Sequence, residues 1–275
     1  MRVEKMTITP EIAGKFLAKN EGNRKLRTNA VGQIAKDIRE GRWCLNGDTI
    51  CLDHEGYVLD GQHRLAAIVL SGTPVETLVA FDVDRAAAIT IDTGMRRTES
   101  DSIRISKMSG GIYTDNSCIS LAKKLMQIQD GFVFKHQAKY SASKVYEYMI
   151  DHDPIIKFAY NNVFQAGKSY LRTTSFVVAL LYVISCDVPV SVVKDFCNTI
   201  FHNSVYPEYN VKPALNLKDW YQTAGRELRA SVRDEEVIRR TKAAIYCYVN
   251  NKQKTNIDPY TDLDIEKAKT IIEEN

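Results

Sequence analysis

The sequence predicts an α+β protein, with a small α/β domain over residues 1–106 and a mostly helical domain over 107–275. Three observations carry this. In the first part apolar residues switch between helical spacing and short strand-like runs, and Gly or Pro sits at the switches. Beyond "SKMSGG" (106–111), the best candidate boundary, the pattern is helical almost throughout. A chain of 275 residues has room for one large domain or two modest ones, each with a core.

The elements follow in order. "ITPEIAGKFLAKN" starts a helix with Thr9 as N-cap, Pro10 at the first helical position and Glu11 in the first turn. Ile12, Phe16 and Leu17 give that helix one apolar face. "TNAVGQIAKDIREG" places Val31, Ile34, Ala35 and Ile38 on a second helical face, and Gly41 ends it. Ile50 and Leu52 then mark a short strand, "HEG" a turn, and Tyr57, Val58 and Leu59 the return strand. "QHRLAAIVLSG" is a helix with Leu65, Ile68 and Val69 inward and Gly72 at its end. "TPVETLVAFDVD" returns to strand, and "DRAAAITIDTG" reads as a short helix running into a turn. Further on, "DNSCISLAKKLMQIQDG", "SASKVYEYMIDHD", "TTSFVVALLYVIS", "SVVKDFCNTIF" and "VIRRTKAAIYCYVNN" each have helical apolar spacing.

Composition narrows the function classes. Hydrophobic content of 44% and charged content of 26% are those of an ordinary globular protein. No window approaches 18 consecutive apolar residues, and "MRVEKMTITPE" lacks the apolar centre of a signal peptide, so a cytoplasmic protein with no membrane partner is expected. Six cysteines (44, 51, 118, 186, 197, 247) form no C-x-x-C pair and match no zinc spacing, so buried, reduced thiols are expected. A net charge of +3 neither demands nor excludes a nucleic acid. Between Lys218 and Lys254, nine Lys and Arg face five Asp and Glu. That stretch reads first as a solvated helix face with i,i+4 pairs, and second as a surface for DNA phosphates.

"GYVLDGQHRLAA" (56–67), a strand that turns directly into a helix, carries Asp60, Gln62, His63 and Arg64 within five residues. Such a junction leaves backbone N–H groups at the helix N-terminus, which with the helix dipole attract anions, phosphate above all. Gly61 lets a ligand approach the backbone, and Arg64 is placed to make a charge-assisted contact with a phosphate. His63 can hydrogen-bond a phosphate oxygen or move a proton, and Asp60 can hold a metal ion or orient His63. The structural alternative is that Asp60 caps the helix while His63 and Arg64 lie on its wet face. Cations crowded at a helix N-terminus, where the dipole disfavours them unless an anion offsets them, argue for a ligand.

With those residues in view, "NGDTICLDHEGYVLDGQHRLAAIVLSGTPVETLVAFDVD" resembles the core of the ParB/sulfiredoxin-like superfamily: a strand pair, a Gly-x-[HR]-R turn, a helix with early Ala, and a strand. ParB proteins carry Gly-Glu-Arg-Arg at this turn and bind nucleoside triphosphate there. DGQHR-type proteins share the letters Asp60 to Arg64 as they stand. "NEGNRKL" is similar to the Asn- and Arg-bearing segment before the ParB core, and "TIDTGMRRTESD" to the segment closing ParB-like domains common in bacteriophages. The resemblance covers roughly residues 5–105. It implies a triphosphate site on Gly61, Gln62, His63 and Arg64, approached by Asn23 and Arg24. It also implies Mg²⁺ at Asp60, accompanying ATP or CTP. Asp92 and Arg96 or Arg97 read as neighbours of the Arg64 site. Gln62 stands where sulfiredoxins carry their catalytic Cys, which argues against sulfinic-acid reduction, and no recognisable helix-turn-helix follows.

Two chemistries fit such a site, NTP hydrolysis if water attacks and a kinase reaction if a hydroxyl does, with His63 and Asp60 as the catalytic pair. The competing class is a non-catalytic DNA-associated module using Arg64, Arg96, Arg97 and the 218–254 stretch. A nuclease ranks third, because no second acidic cluster stands beside Asp60 in the sequence. "NVFQAGKS" (162–169) lacks the first Gly and the preceding strand of a phosphate loop and reads as a helix–helix connection. The single "DTG" (92–94) would need a second copy, in a homodimer, to build a protease dyad. Trp43 reads as a core anchor beneath the hairpin.

Overall fold

A computed structural model describes residues 1–23, 25–89, 115–131, 140–166, 171, 173–255 and 258–275. The chain forms two compact units, 1–97 and 98–275. The stretch 106–111, where the sequence suggests the boundary, lies outside the described residues.

The first unit is a four-stranded mixed sheet carrying three helices. Its strands are β1 (Arg2–Ile8), β2 (Thr49–Leu52), β3 (Val58–Asp60) and β4 (Val75–Phe81), in the order β1-β4-β2-β3. β4 pairs antiparallel with β1 (Ile8 opposite Val75) and parallel with β2 (Ile50 opposite Val79). β3 closes the other edge antiparallel to β2, with a register shift at Cys51/Leu52. Helix α1 (Pro10–Leu17) begins as the sequence expects, with Thr9 Oγ1 accepting from the Ile12 N–H at 3.3 Å. α2 (Thr28–Arg39) buries Val31, Ala35 and Ile38. α3 (Gln62–Ser71) packs against both, and with Ile8, Ile50, Leu52, Val58, Val75 and Val79 they form one core. A 3₁₀ turn, Arg85–Ile89, follows β4.

One strand is additional to those the sequence indicates, and two details differ from expectation. β1 was not anticipated: only Ile8 of its seven residues is buried, so an edge strand shows little of the alternation that reveals a half-buried one. Val69 points outward at 44% exposure, because α3 turns its Leu65–Ile68 side to the core, and one more residue carries the chain past that face. Trp43 packs half-buried against this core, as an anchor should, and its indole N–H donates to the Glu76 carbonyl at 2.9 Å, which sets it against the start of β4.

The second unit is helical among its described residues: α4 (Asn116–Gln129), α5 (Ala142–Asp151), α6 (Asp153–Ala159), α7 (Thr174–Ser185), α8 (Val190–His202), α9 (Lys212–Thr223), α10 (Ala230–Val249) and α11 (Ile265–Glu273). α6, α9 and α11 are additional to the helices the spacing indicates. α7 buries ten of its twelve residues, as a helix apolar on all sides must, and α4, α10 and α11 pack around it. Asp234 on α10 fastens this layer, accepting from Ser175 Oγ of α7 at 2.7 Å and pairing with Lys124 of α4 at 3.1 Å. Residues 160–164 of the phosphate-loop-like stretch make a π-helical turn, and Gly167, Lys168 and Ser169 lie outside the described residues. All six cysteines are free; Cys118, Cys197 and Cys247 are buried, whereas Cys44 is exposed, against the expectation of burial. No described helix is long and apolar enough to cross a membrane.

Candidate functional site

The turn between β3 and α3 is built around Gly61. Its φ of +97° is a left-handed conformation, and a Cβ there would stand 3.0–3.3 Å from Ile50, backbone included. Glycine therefore lets the chain reverse directly against β2 and start α3 at Gln62. The helix has no side-chain cap, since Gly61 itself is the capping residue.

The polar groups of the motif are wired largely to one another and to nearby backbone. Arg64 is mostly buried, at 16% side-chain exposure, and its Nη2 reaches both the Thr49 carbonyl and Asp60 Oδ2 at 3.0 Å. Its Nη1 is buried and meets no acceptor among the described residues. Asp60 is the anion that offsets a cation at this helix mouth, at 39% side-chain exposure. His63 Nε2 accepts from the Arg27 backbone N–H at 3.1 Å, so that nitrogen carries a lone pair and the proton sits on the other. Gln62 is buried, and its Oε1 accepts from Asn20 Nδ2 at 3.0 Å. Asn23 continues the chain of bonds, donating to Asn20 Oδ1 at 2.8 Å and to the Val58 carbonyl. Asn23, Asp60, Gly61, Gln62, His63 and Arg64 thus come together around one strand end. Arg24, Asp92, Arg96 and Arg97 lie outside the described residues.

A cleft of about 480 Å³ opens beside β3, walled by Asn23, Tyr57, Val58, Leu59, Glu21 and Arg85. Arg85 of its wall is held in place by a residue the sequence reading missed. Asp53, with a fully buried carboxylate, accepts from the Glu55 and Tyr57 N–H groups at 2.9 and 2.8 Å and pairs with Arg85 at 2.9 Å. Burial opposes that charge, but the Tyr57 and Glu55 donors, with Arg85, outweigh it and hold the Asp53 pKa below the ordinary carboxylate value. The guanidinium of Arg85 lies 4.9 Å from the centre of the Tyr57 ring. The available signal was Asp53 opening the "DHEG" turn, where an Asp carboxylate commonly binds backbone N–H groups two and more residues on.

The basic stretch 218–254 is not one uniform charged face. Lys242 is buried, bonded to Asp258 and to the Tyr260 carbonyl, both at 2.8 Å. Lys218 donates to Asn203 Oδ1, and Arg239 and Arg240 share Glu236. Comparison with known proteins adds no relative to this geometry: no protein-family profile, curated protein or solved structure matches the chain.

Proposed function

We propose that the first unit is a ParB/sulfiredoxin-like phosphate-binding module that takes a nucleoside triphosphate at the β3–α3 turn. The observation that carries this reading is the Arg64 guanidinium. One of its nitrogens is buried without an acceptor among the described residues, a state that costs about 1–3 kcal/mol. Among the described residues its charge is met by one carboxylate on an accessible side chain, an exchangeable pair worth about 1 kcal/mol or less. Asp60 in effect holds the place of a ligand anion at Nη2, and an arriving phosphate with more acceptor oxygens displaces it there and meets Nη1 once the guanidinium turns out of its buried position. The strand–turn–helix order and the letters Asp60 to Arg64 support the same reading. The adjoining cleft, with the Glu21 carboxylate and the Tyr57 ring, suits the nucleoside, whose ribose hydroxyls donate to carboxylates.

The arrangement favours binding over phosphoryl transfer. Asp60 is engaged by Arg64 and His63 Nε2 by Arg27, so hydrolysis or a kinase step would first have to release both. The donor set does not fit a metal held by the chain: among the described residues, no three His, Cys, Asp or Glu stand together as ligands. Mg²⁺ would arrive on the triphosphate, keeping waters and phosphate oxygens as its ligands. Calorimetric titration of ATP, CTP, GTP and UTP, each with Mg²⁺, tests the site. Saturable binding of one nucleotide, lost in Arg64→Ala, is expected; no binding of any of the four overturns the reading. A second reading, a DNA-associated module, is favoured by the two arginines that Glu236 holds on α10.

A further inference from the structure

We infer that the groove between α9 and α10 is a second, independent site that binds a nucleoside phosphate, either free or as one unit of a single strand. The groove encloses about 640 Å³, within the range of small-ligand sites. Leu217, Ala243, Ala244 and Cys247 give it an apolar floor, and Arg239, Arg240 and Lys254 stand on its rim.

Two features set this rim apart from a solvated helix face. The first is preorganisation. Glu236 takes Arg239 in two parallel bonds of 3.0 and 2.8 Å and Arg240 Nε in a third of 2.8 Å. Arg239, foremost, and Arg240 push the Glu236 carboxyl down to about 2, so it stays charged and keeps both guanidiniums oriented at any physiological pH. Among the described residues, both Nη groups of Arg240 and the Nη1 of Arg239 meet no acceptor, and Lys254 is exposed with no bond or ion pair. Glu236 and Glu235 stand against Arg239, Arg240 and Lys254, and Asp258, which also acts on Arg239, is paired with Lys242, so the rim keeps a net positive charge.

The second feature is a flat platform. The Arg240 guanidinium lies 4.3 Å from the centre of the Trp220 ring. Gly225 packs so closely on the indole that a Cβ would stand 3.2–3.3 Å from three of its ring atoms. The indole is therefore a fixed support, and the guanidinium laid on it is the surface available to a base. Bases stack on arginine planes as they do on aromatic rings. A phosphate then falls within reach of the remaining arginine donors and Lys254.

Trp220 reports on this groove directly, because the only other tryptophan is Trp43 of the first unit. In the full chain carrying Trp43→Phe, titration with a twelve-residue oligothymidylate or with UMP and AMP is expected to change Trp220 emission and saturate. Saturation by the oligonucleotide alone assigns a strand, by the mononucleotides alone a free nucleotide, and both support the site. Lys254→Glu, which removes no bond within the fold, is expected to weaken binding fivefold or more, and Arg239→Ala with Arg240→Ala tenfold or more. Absence of saturation with every probe overturns the inference, as does binding that Lys254→Glu and the double variant leave unchanged. Arg64→Ala is expected to leave this site intact, so its failure and that of the β3–α3 site are separable.

Discussion

The two candidate sites use arginine in opposite ways. At the β3–α3 turn Arg64 is mostly buried, fixed by a carbonyl and a carboxylate four residues away, with one nitrogen left unpaired inside. In the groove of the second unit Arg239 and Arg240 are fixed from behind by Glu236 at 53% and 41% side-chain exposure, with unpaired donors toward solvent. The first arrangement is a closed circuit that a ligand must enter by exchange, and the second is open. Polar density in a motif therefore says little about availability; what decides is whether the partners come from within.

The largest expected effect tests the closed circuit at its hinge. Gly61→Ala adds a Cβ at a positive φ, against Ile50, and should destabilise the first unit by about 3 kcal/mol. Peptide-resolved hydrogen exchange of the intact chain should show protection lost in α3, β2 and β3 but retained in α7 and α10. Protection lost equally in both units would mean that they do not unfold separately. Arg64→Ala comes next. It leaves the part-buried Thr49 carbonyl without its arginine partner but also removes the unpaired Nη1, so the net cost in urea denaturation without ligand should be about 1 kcal/mol. A loss below about 0.3 kcal/mol would mean that the circuit contributes nothing to the fold.

The open site has a smaller and pH-dependent signature. The folded-state pKa of Glu236, about 2, lies below the ordinary carboxylate value of 4.5. Its contribution is thus complete above pH 4.5 and is lost as pH falls from 4.5 toward 2. Solvent screening at the rim limits the effect to about 1 kcal/mol. Acid titration of Trp220 emission in the Trp43→Phe chain should show this loss, and Glu236→Gln should remove it. An unchanged acid profile in Glu236→Gln would show that the carboxylate does not hold the two arginines.

Much of the first unit was legible because its signals are local. Thr9, Pro10 and Glu11 state a helix start, Gly41 and Gly72 state helix ends, and Ile50 and Leu52 mark a buried strand face. β1 escaped because an edge strand buried only at its end has no face to display. α9 was missed although Ala214, Leu217 and Tyr221 keep helical spacing, since Lys212 and Pro213 look like a break until Pro is recognised as a first-turn residue. The turn motif revealed which residues gather at the β3–α3 junction, but not that Asp60 would supply the anion Arg64 needs. The groove was illegible for a different reason. Its members run from 213 to 258 on two helices and a connecting segment, and only packing brings Trp220 beneath Arg240.

The central claim is that Asp60 occupies a ligand's place, and Asp60→Asn tests it most directly. If Asp60 competes with phosphate for Arg64, removing its charge should tighten nucleotide binding about three- to tenfold, measured by calorimetric titration against the wild type. If Asp60 instead holds Mg²⁺ or serves catalysis, Asp60→Asn will weaken or abolish binding in the presence of Mg²⁺. That result would contradict the account.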